Sequence, residues 1–124
     1  MILDTNAISA LLKHDTALIA LLGHEDHHLP VIALGEYRFG LRRSKLRQKL
    51  EQQLRSWEQI WAVLPVVRET TEHYGHIREK LRARGAPIPE NDVWIAALAA
   101  QHRLPLVSSD EHFDRVDGLK RVAW

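Results

Sequence analysis

The chain has 124 residues, 17 Lys and Arg against 16 Asp and Glu, a formal net charge of +1, and no cysteine. Hydrophobic residues at 45% and charged residues at 27% are the proportions of a soluble globular protein, which excludes intrinsic disorder and a coiled-coil rod. This length suits one domain over residues 1–124 that folds without disulfides or a structural metal.

Met1-Ile2-Leu3 reads as a buried strand that stops at Asp4-Thr5-Asn6, and Ala7 to Leu12 then has helical apolar spacing. Asp15 and Thr16 suit the start of a short helix over Ala17–Leu22, with Gly23 ending it. His27 to Leu34 reads as the second strand, with Leu29, Val31 and Ile32 together and Pro30 near its start or on an edge. Gly35 to Gly40 is expected to be helical. From Lys45 onward, Leu46, Leu50, Leu54, Trp57 and Trp61 make one face of an amphipathic helix whose other face carries Arg47, Lys49 and Arg55. A third strand is expected over Ala62–Val67, a helix over Glu69–Ala83 and a loop over Gly85–Pro89. A helix buried nearly all round follows over Val93–Ala100, then a strand over Leu104–Val107. Ser108–Asp114 reads as a loop with a short helical turn, and Leu119–Ala123 as the last strand. Strands alternating with helices imply a three-layer α/β domain with a parallel sheet and right-handed crossovers.

Uncharged runs such as Val93 to Gln101 are far short of the roughly 20 residues of a membrane span. Residues 1–12 lack a basic n-region, so a soluble cytoplasmic protein without a signal peptide is expected. The near-zero charge hides an asymmetry: residues 1–30 sum to −3, 31–60 to +4, 61–89 to +2 and 90–124 to −2. The ends are acidic and the middle is basic.

Ligands of open parallel sheets bind beyond the C-terminal ends of strands, which singles out acids that follow apolar runs. Asp4 follows the first strand and Asp110 the fourth, Glu36 comes just after Val31–Leu34, and Asp92 stands at the mouth of the most apolar helix. Four carboxylates near one sheet edge repel one another unless a cation intervenes. An oxygen-only donor set without cysteine suits Mg²⁺ or Mn²⁺ better than Zn²⁺, as one ion or two. The competing reading makes Asp4 and Asp92 helix caps, Glu36 a partner of Arg38 or Arg42, and Asp110 a turn residue.

At these residues the sequence resembles a PIN-domain ribonuclease of the VapC family, the toxins of type II toxin–antitoxin systems. The resemblance runs through Leu3-Asp4-Thr5-Asn6, Val31 to Gly40, Asn91 to Ala97, Leu106 to Phe113, and the terminal Gly118-Leu119 and Trp124. It implies an α/β/α domain with a five-stranded parallel sheet and a Mg²⁺- or Mn²⁺-dependent endoribonuclease site. It also implies Asp4, Glu36 and Asp92 as the core acids and Asp110 as the fourth, with Asn6 and Ser108 as polar supports. Asp114 is an alternative to Asp110 or shares its role. A homodimer and a cognate antitoxin lying across the active groove are further implications.

The expected reaction is in-line attack of metal-activated water on an RNA phosphodiester, leaving 5′-phosphate and 3′-hydroxyl ends. The acids motivate it, together with the lack of an obvious His pair for 2′-hydroxyl chemistry; His73 and His76 read as surface or packing residues. Arg38, Arg42, Arg43 and Lys45, continued by Arg47 and Lys49, are candidate contacts to the RNA backbone. The competing functions are a metal-dependent DNA nuclease and a non-catalytic binding module on the same fold.

Overall fold

The computed structural model describes residues 1–124. The apolar runs pair as five parallel strands: β1 (Ile2–Leu3), β2 (His28–Pro30), β3 (Ala62–Leu64), β4 (Leu106–Val107) and β5 (Arg121–Val122). Their order is β3-β2-β1-β4-β5. Parallel neighbours cannot be joined by a tight hairpin, and the crossovers are supplied by helices. These are α1 (Thr5–Leu12), α2 (Thr16–Leu22), α3 (Val31–Leu41), α4 (Arg47–Ile60), α5 (Arg68–Ala83) and α6 (Glu90–His102). A 3₁₀ turn, Glu111–Arg115, follows β4. The result is a three-layer α/β/α arrangement.

The second strand differs most from expectation. Val31–Leu34 is not strand but the first turn of α3, and β2 ends at Pro30. Four apolar residues in a row fit a buried strand and a buried helix equally well by periodicity. Proline, however, suits the boundary before a helix, where its missing N–H costs nothing. The burial of Ala33, Leu34, Tyr37 and Leu41 then follows one helical face. Glu36 therefore stands on the second turn of a helix, not just beyond a strand. Prolines also trim two other strands: β3 stops at Leu64 before Pro65, and β4 begins at Leu106 after Pro105. The last strand is only Arg121–Val122.

The other expectations hold to within a few residues. Asp15 caps α2 by accepting a hydrogen bond from Leu18 N (3.0 Å), and Gly23 ends it at φ 59°. Helix α6 is longer than expected and buries Val93 and Ile95–Ala99. The core is centred on Ile2, Leu3, Leu29, Leu106 and Val107 of the sheet, Ile95 and Leu98 of α6, and Phe113 of the 3₁₀ turn, all without solvent exposure.

Strand order sets the position of the site. From β1 the chain moves outward to β2 and β3 on one side, and later returns to lay β4 and β5 on the other. The segments leaving β1 and β4 diverge, so a crevice opens between them at the C-terminal edge of the sheet, the usual place for a ligand in an open α/β sheet.

Candidate active site

Asp4 is the first residue beyond β1 and Ser108 the first beyond β4, side by side at this switch point. Asp4 is buried at 3% exposure. Its carboxylate accepts from Thr5 N at 2.7 Å through Oδ1 and from Ser108 Oγ at 2.7 Å through Oδ2. It thus caps α1 and is also pinned to the neighbouring strand's end. The Ser108 hydroxyl accepts from Asn6 Nδ2 (3.2 Å) and from Asp110 N (3.0 Å), so its one donor and two acceptor positions are all used. Asn6 Oδ1 in turn accepts from Ser109 N at 3.3 Å.

Glu36 reaches the same cleft from α3, where its Oε2 accepts from the Thr5 hydroxyl at 3.1 Å. Asp92 reaches it from the first turn of α6, whose N-terminal dipole favours a carboxylate. Asp110 enters from the segment between β4 and the 3₁₀ turn. Asp4, Thr5, Asn6, Glu36, Phe39, Pro89 and Glu90 to Asp92, with Asp110, line one open cleft of about 670 Å³. All four expected acids and Asn6 share it, with Ser108 buried beneath them.

Asp114 does not line this cleft. Its carboxylate is held by Arg121, with Nε to Oδ1 at 2.8 Å and Nη2 to Oδ2 at 2.9 Å, and that pair keeps it below the usual carboxylate range. The expected backbone contacts are not at the acids either. Arg38 is paired with Glu58 of α4. Arg42, Arg43 and Lys45 are exposed and unpaired between α3 and α4. Arg42 lies six residues past Glu36, roughly 9 Å along a helical rise.

His112 is a member of the site that sequence reasoning missed. Its Nε2 lies 2.6 Å from Asp92 Oδ2 and its Nδ1 3.0 Å from Asp110 Oδ1, so the imidazole stands between the two carboxylates. The chain has eight histidines, and only the two-residue step from Asp110 distinguishes this one. The Thr5 hydroxyl was missed as well, although it is adjacent to Asp4 in the chain.

Burial dominates the electrostatics. It pushes the Asp4 carboxyl up to about 6, against the hydrogen bonds from Ser108 and Thr5, and repulsion from Asp92 and Glu36 adds to the rise. Asp92 is also raised, by burial first, with His112 pulling the other way and Glu36 and Asp110 repelling. Carboxylates placed at a cost beside one another suit a positively charged ligand. The oxygens of Asp4, Glu36, Asp92 and Asp110 form the hard donor set that Mg²⁺ and Mn²⁺ prefer. Donor atoms of Asp92, Asp110 and His112 lie within 4.8 Å of one another, adding a nitrogen that Mn²⁺ tolerates better than Mg²⁺. The residues present fit a divalent cation.

Comparison with known proteins bears on the fold and the family. The PIN domain family model matches residues 1–119. Ribonuclease VapC5 of Mycobacterium tuberculosis is 31% identical over 94 residues, covering 74% of this chain and 70% of that protein. The solved VapBC2 of Rickettsia felis, bound to a promoter DNA fragment, superposes with a TM-score of 0.89 at 24% identity, over 99% of this chain and 97% of that one. VapBC-5 from Mycobacterium tuberculosis, described as a member of the VapBC family of toxin–antitoxin systems, matches with a TM-score of 0.75 at 27% identity, over 98% and 94%.

Proposed function

This chain belongs to the PIN-domain family and to the VapC ribonucleases within it, and from that membership and the geometry of its cleft we propose that it is a divalent-metal-dependent endoribonuclease, the toxin of a type II toxin–antitoxin pair. The observation that carries the reading is the desolvated Asp4 carboxylate at the β1/β4 switch point, facing the same open cleft as Glu36, Asp92 and Asp110.

Asp4, Glu36, Asp92 and Asp110 would hold the cation, Mg²⁺ or Mn²⁺, with His112 as a further donor beside Asp92 and Asp110. Such an ion, when bound, acidifies water and offsets phosphate charge in an in-line displacement. The chain's own residues prepare the cleft. The Ser108 hydroxyl and Thr5 N hold Asp4 in one orientation and favour its ionised form. The Thr5 hydroxyl aims Glu36, and Asn6 fixes both Ser108 and the Ser109 backbone. Orientation set before substrate arrives lowers the reorganisation left for the reaction itself. The expected products are 5′-phosphate and 3′-hydroxyl ends.

The solved relative VapBC-5, a member of a family of toxin–antitoxin systems, supports an antitoxin partner; in this reading the antitoxin lies across the cleft, and RNA cleavage by the free toxin arrests translation and growth. Homodimerisation and action in the cytoplasm complete the reading. No helix is long and apolar enough to cross a membrane. Arg42, Arg43 and Lys45, being unpaired, are better placed than Arg38 to attract the RNA backbone.

The test is cleavage of matched RNA and DNA oligonucleotides by wild type and Asp4→Asn, with Mg²⁺, with Mn²⁺ and in EDTA. RNA cut only by wild type with metal is the expected result. Activity in EDTA, 2′,3′-cyclic phosphate products, or equal cutting of DNA would overturn it.

A further inference from the structure

Nine of the ten residues lining the acidic cleft are polar or proline; the tenth is Phe39, whose exposure of 81% exceeds that of every other large apolar side chain in the protein. The other aromatics are buried or partnered. Tyr74 stacks on Trp94 at 3.9 Å, Trp57 packs with Trp61 and Trp61 with His27, Tyr37 and Phe113 are buried, and Trp124 donates to Asp15. Phe39 stands three residues after Glu36 on α3, which makes the two side chains neighbours on one helical face. An exposed ring beside a cation-binding carboxylate has no packing role in the folded chain.

We propose that Phe39 is a stacking platform for an unpaired RNA base next to the scissile phosphate. This rests on the ribonuclease reading of the same cleft. The surroundings favour a base over an apolar protein side chain. Around Phe39 the cleft is lined by carboxylates and by the amides of Asn6 and Asn91, with no second large apolar side chain to build the desolvated pocket that a protein hot spot needs. A base offers a π-face to the ring and polar edges to its neighbours. Within a duplex both faces of a base are already stacked, so only a single strand, bulge or loop can deliver one.

The experiment measures binding and cutting separately. Asp4→Asn protein, with and without Phe39→Ala, Phe39→Trp or Phe39→Leu, is titrated with Mg²⁺ against a single-stranded RNA bearing 2-aminopurine at successive positions and against the same RNA annealed to its complement. The same Phe39 variants with Asp4 intact are assayed for cleavage. Loss of one stacked base predicts roughly a tenfold to hundredfold weaker affinity and lower kcat/KM for Phe39→Ala on the single strand. Trp restores both, Leu does not, the duplex is unaffected, and quenching peaks at one position only. Because Phe39 is exposed, circular dichroism and Tm should not change.

Unchanged affinity and kcat/KM in Phe39→Ala would overturn the assignment, as would full rescue by Leu, or an effect confined to antitoxin binding. If the Asp4→Asn protein binds with Phe39-dependent quenching but the protein with Asp4 intact cuts nothing, the ribonuclease reading falls and the stacking site stands. If it cuts RNA equally well without Phe39, the stacking site falls and the ribonuclease reading stands. Neither binding nor cutting removes both.

Discussion

The hydroxyl of Ser108 donates to Asp4 Oδ2 at 2.7 Å across 104 residues of sequence, joining the C-terminal ends of β1 and β4 beneath the acidic cleft. Both residues are buried, and the same hydroxyl accepts from Asn6 and Asp110. Ser108→Ala should therefore cost about 1–3 kcal/mol, since it leaves buried polar groups unsatisfied. It should also raise the Asp4 carboxyl further, because a hydrogen bond that lowers it is gone. Urea unfolding at neutral pH and NMR titration of the carboxyl check the two effects.

Asp4 also makes stability depend on pH. Its folded carboxyl titrates near 6 against 3.8 in the reference state, so the folded protein binds the proton more tightly than the unfolded chain. Stability from this group is complete below about pH 4 and is lost as pH rises through about 6. The loss is about 3 kcal/mol, and Asp92 shifts in the same direction. In EDTA, wild type should be less stable at pH 7 than at pH 5, and Asp4→Asn should flatten the difference. Equal denaturation midpoints for wild type at both pH values would count against the desolvated carboxylate.

A cation should reverse that loss. At pH 7, Mg²⁺ or Mn²⁺ at a hundred times its dissociation constant should stabilise wild type by about 2.7 kcal/mol. Near pH 4.5 protons compete for the same oxygens, and the effect should shrink. Thermal scans with and without EDTA provide the measurement, with Asp4→Asn as the control that loses most of the gain.

His112 lies between Asp92 and Asp110, and removing it should slacken that half of the site. His112→Ala is expected to weaken Mn²⁺ binding by about tenfold to a hundredfold, the usual effect of losing a group that orients or adds to metal ligands. Mn²⁺ should suffer more than Mg²⁺ if the imidazole itself coordinates. Isothermal titration with each ion separates orientation from coordination.

Asp110 and Asp114 were alternatives for the fourth acid. Asp114 is occupied by Arg121 and lies outside the cleft, whereas Asp110 lines it. Asp110→Ala should lower metal affinity and cleavage, and Asp114→Ala should leave both near wild type. The reverse pattern, read by the same titration and an RNA cleavage assay, would reassign the fourth position.

The sequence alone determined the alternation of strands and helices and picked out the acids that come to share the cleft. Both are local: apolar spacing sets the period, and Asp4 and Asp110 follow apolar runs whose ends can be read from the chain. Motifs resembling those of VapC ribonucleases added the likeness in function. Tertiary structure alone decided the rest. Val31–Leu34 has the same apolar pattern for either conformation, and packing of Ala33, Leu34, Tyr37 and Leu41 made it helix, which carried Glu36 to the cleft on α3. The strand order brought Ser108 to Asp4 and His112 to Asp92, contacts between segments whose separation in the chain leaves no periodic trace. Phe39 looks like any core aromatic in the sequence. Only the turn of α3 shows its ring facing solvent beside the acids, because exposure is a property of the packed whole.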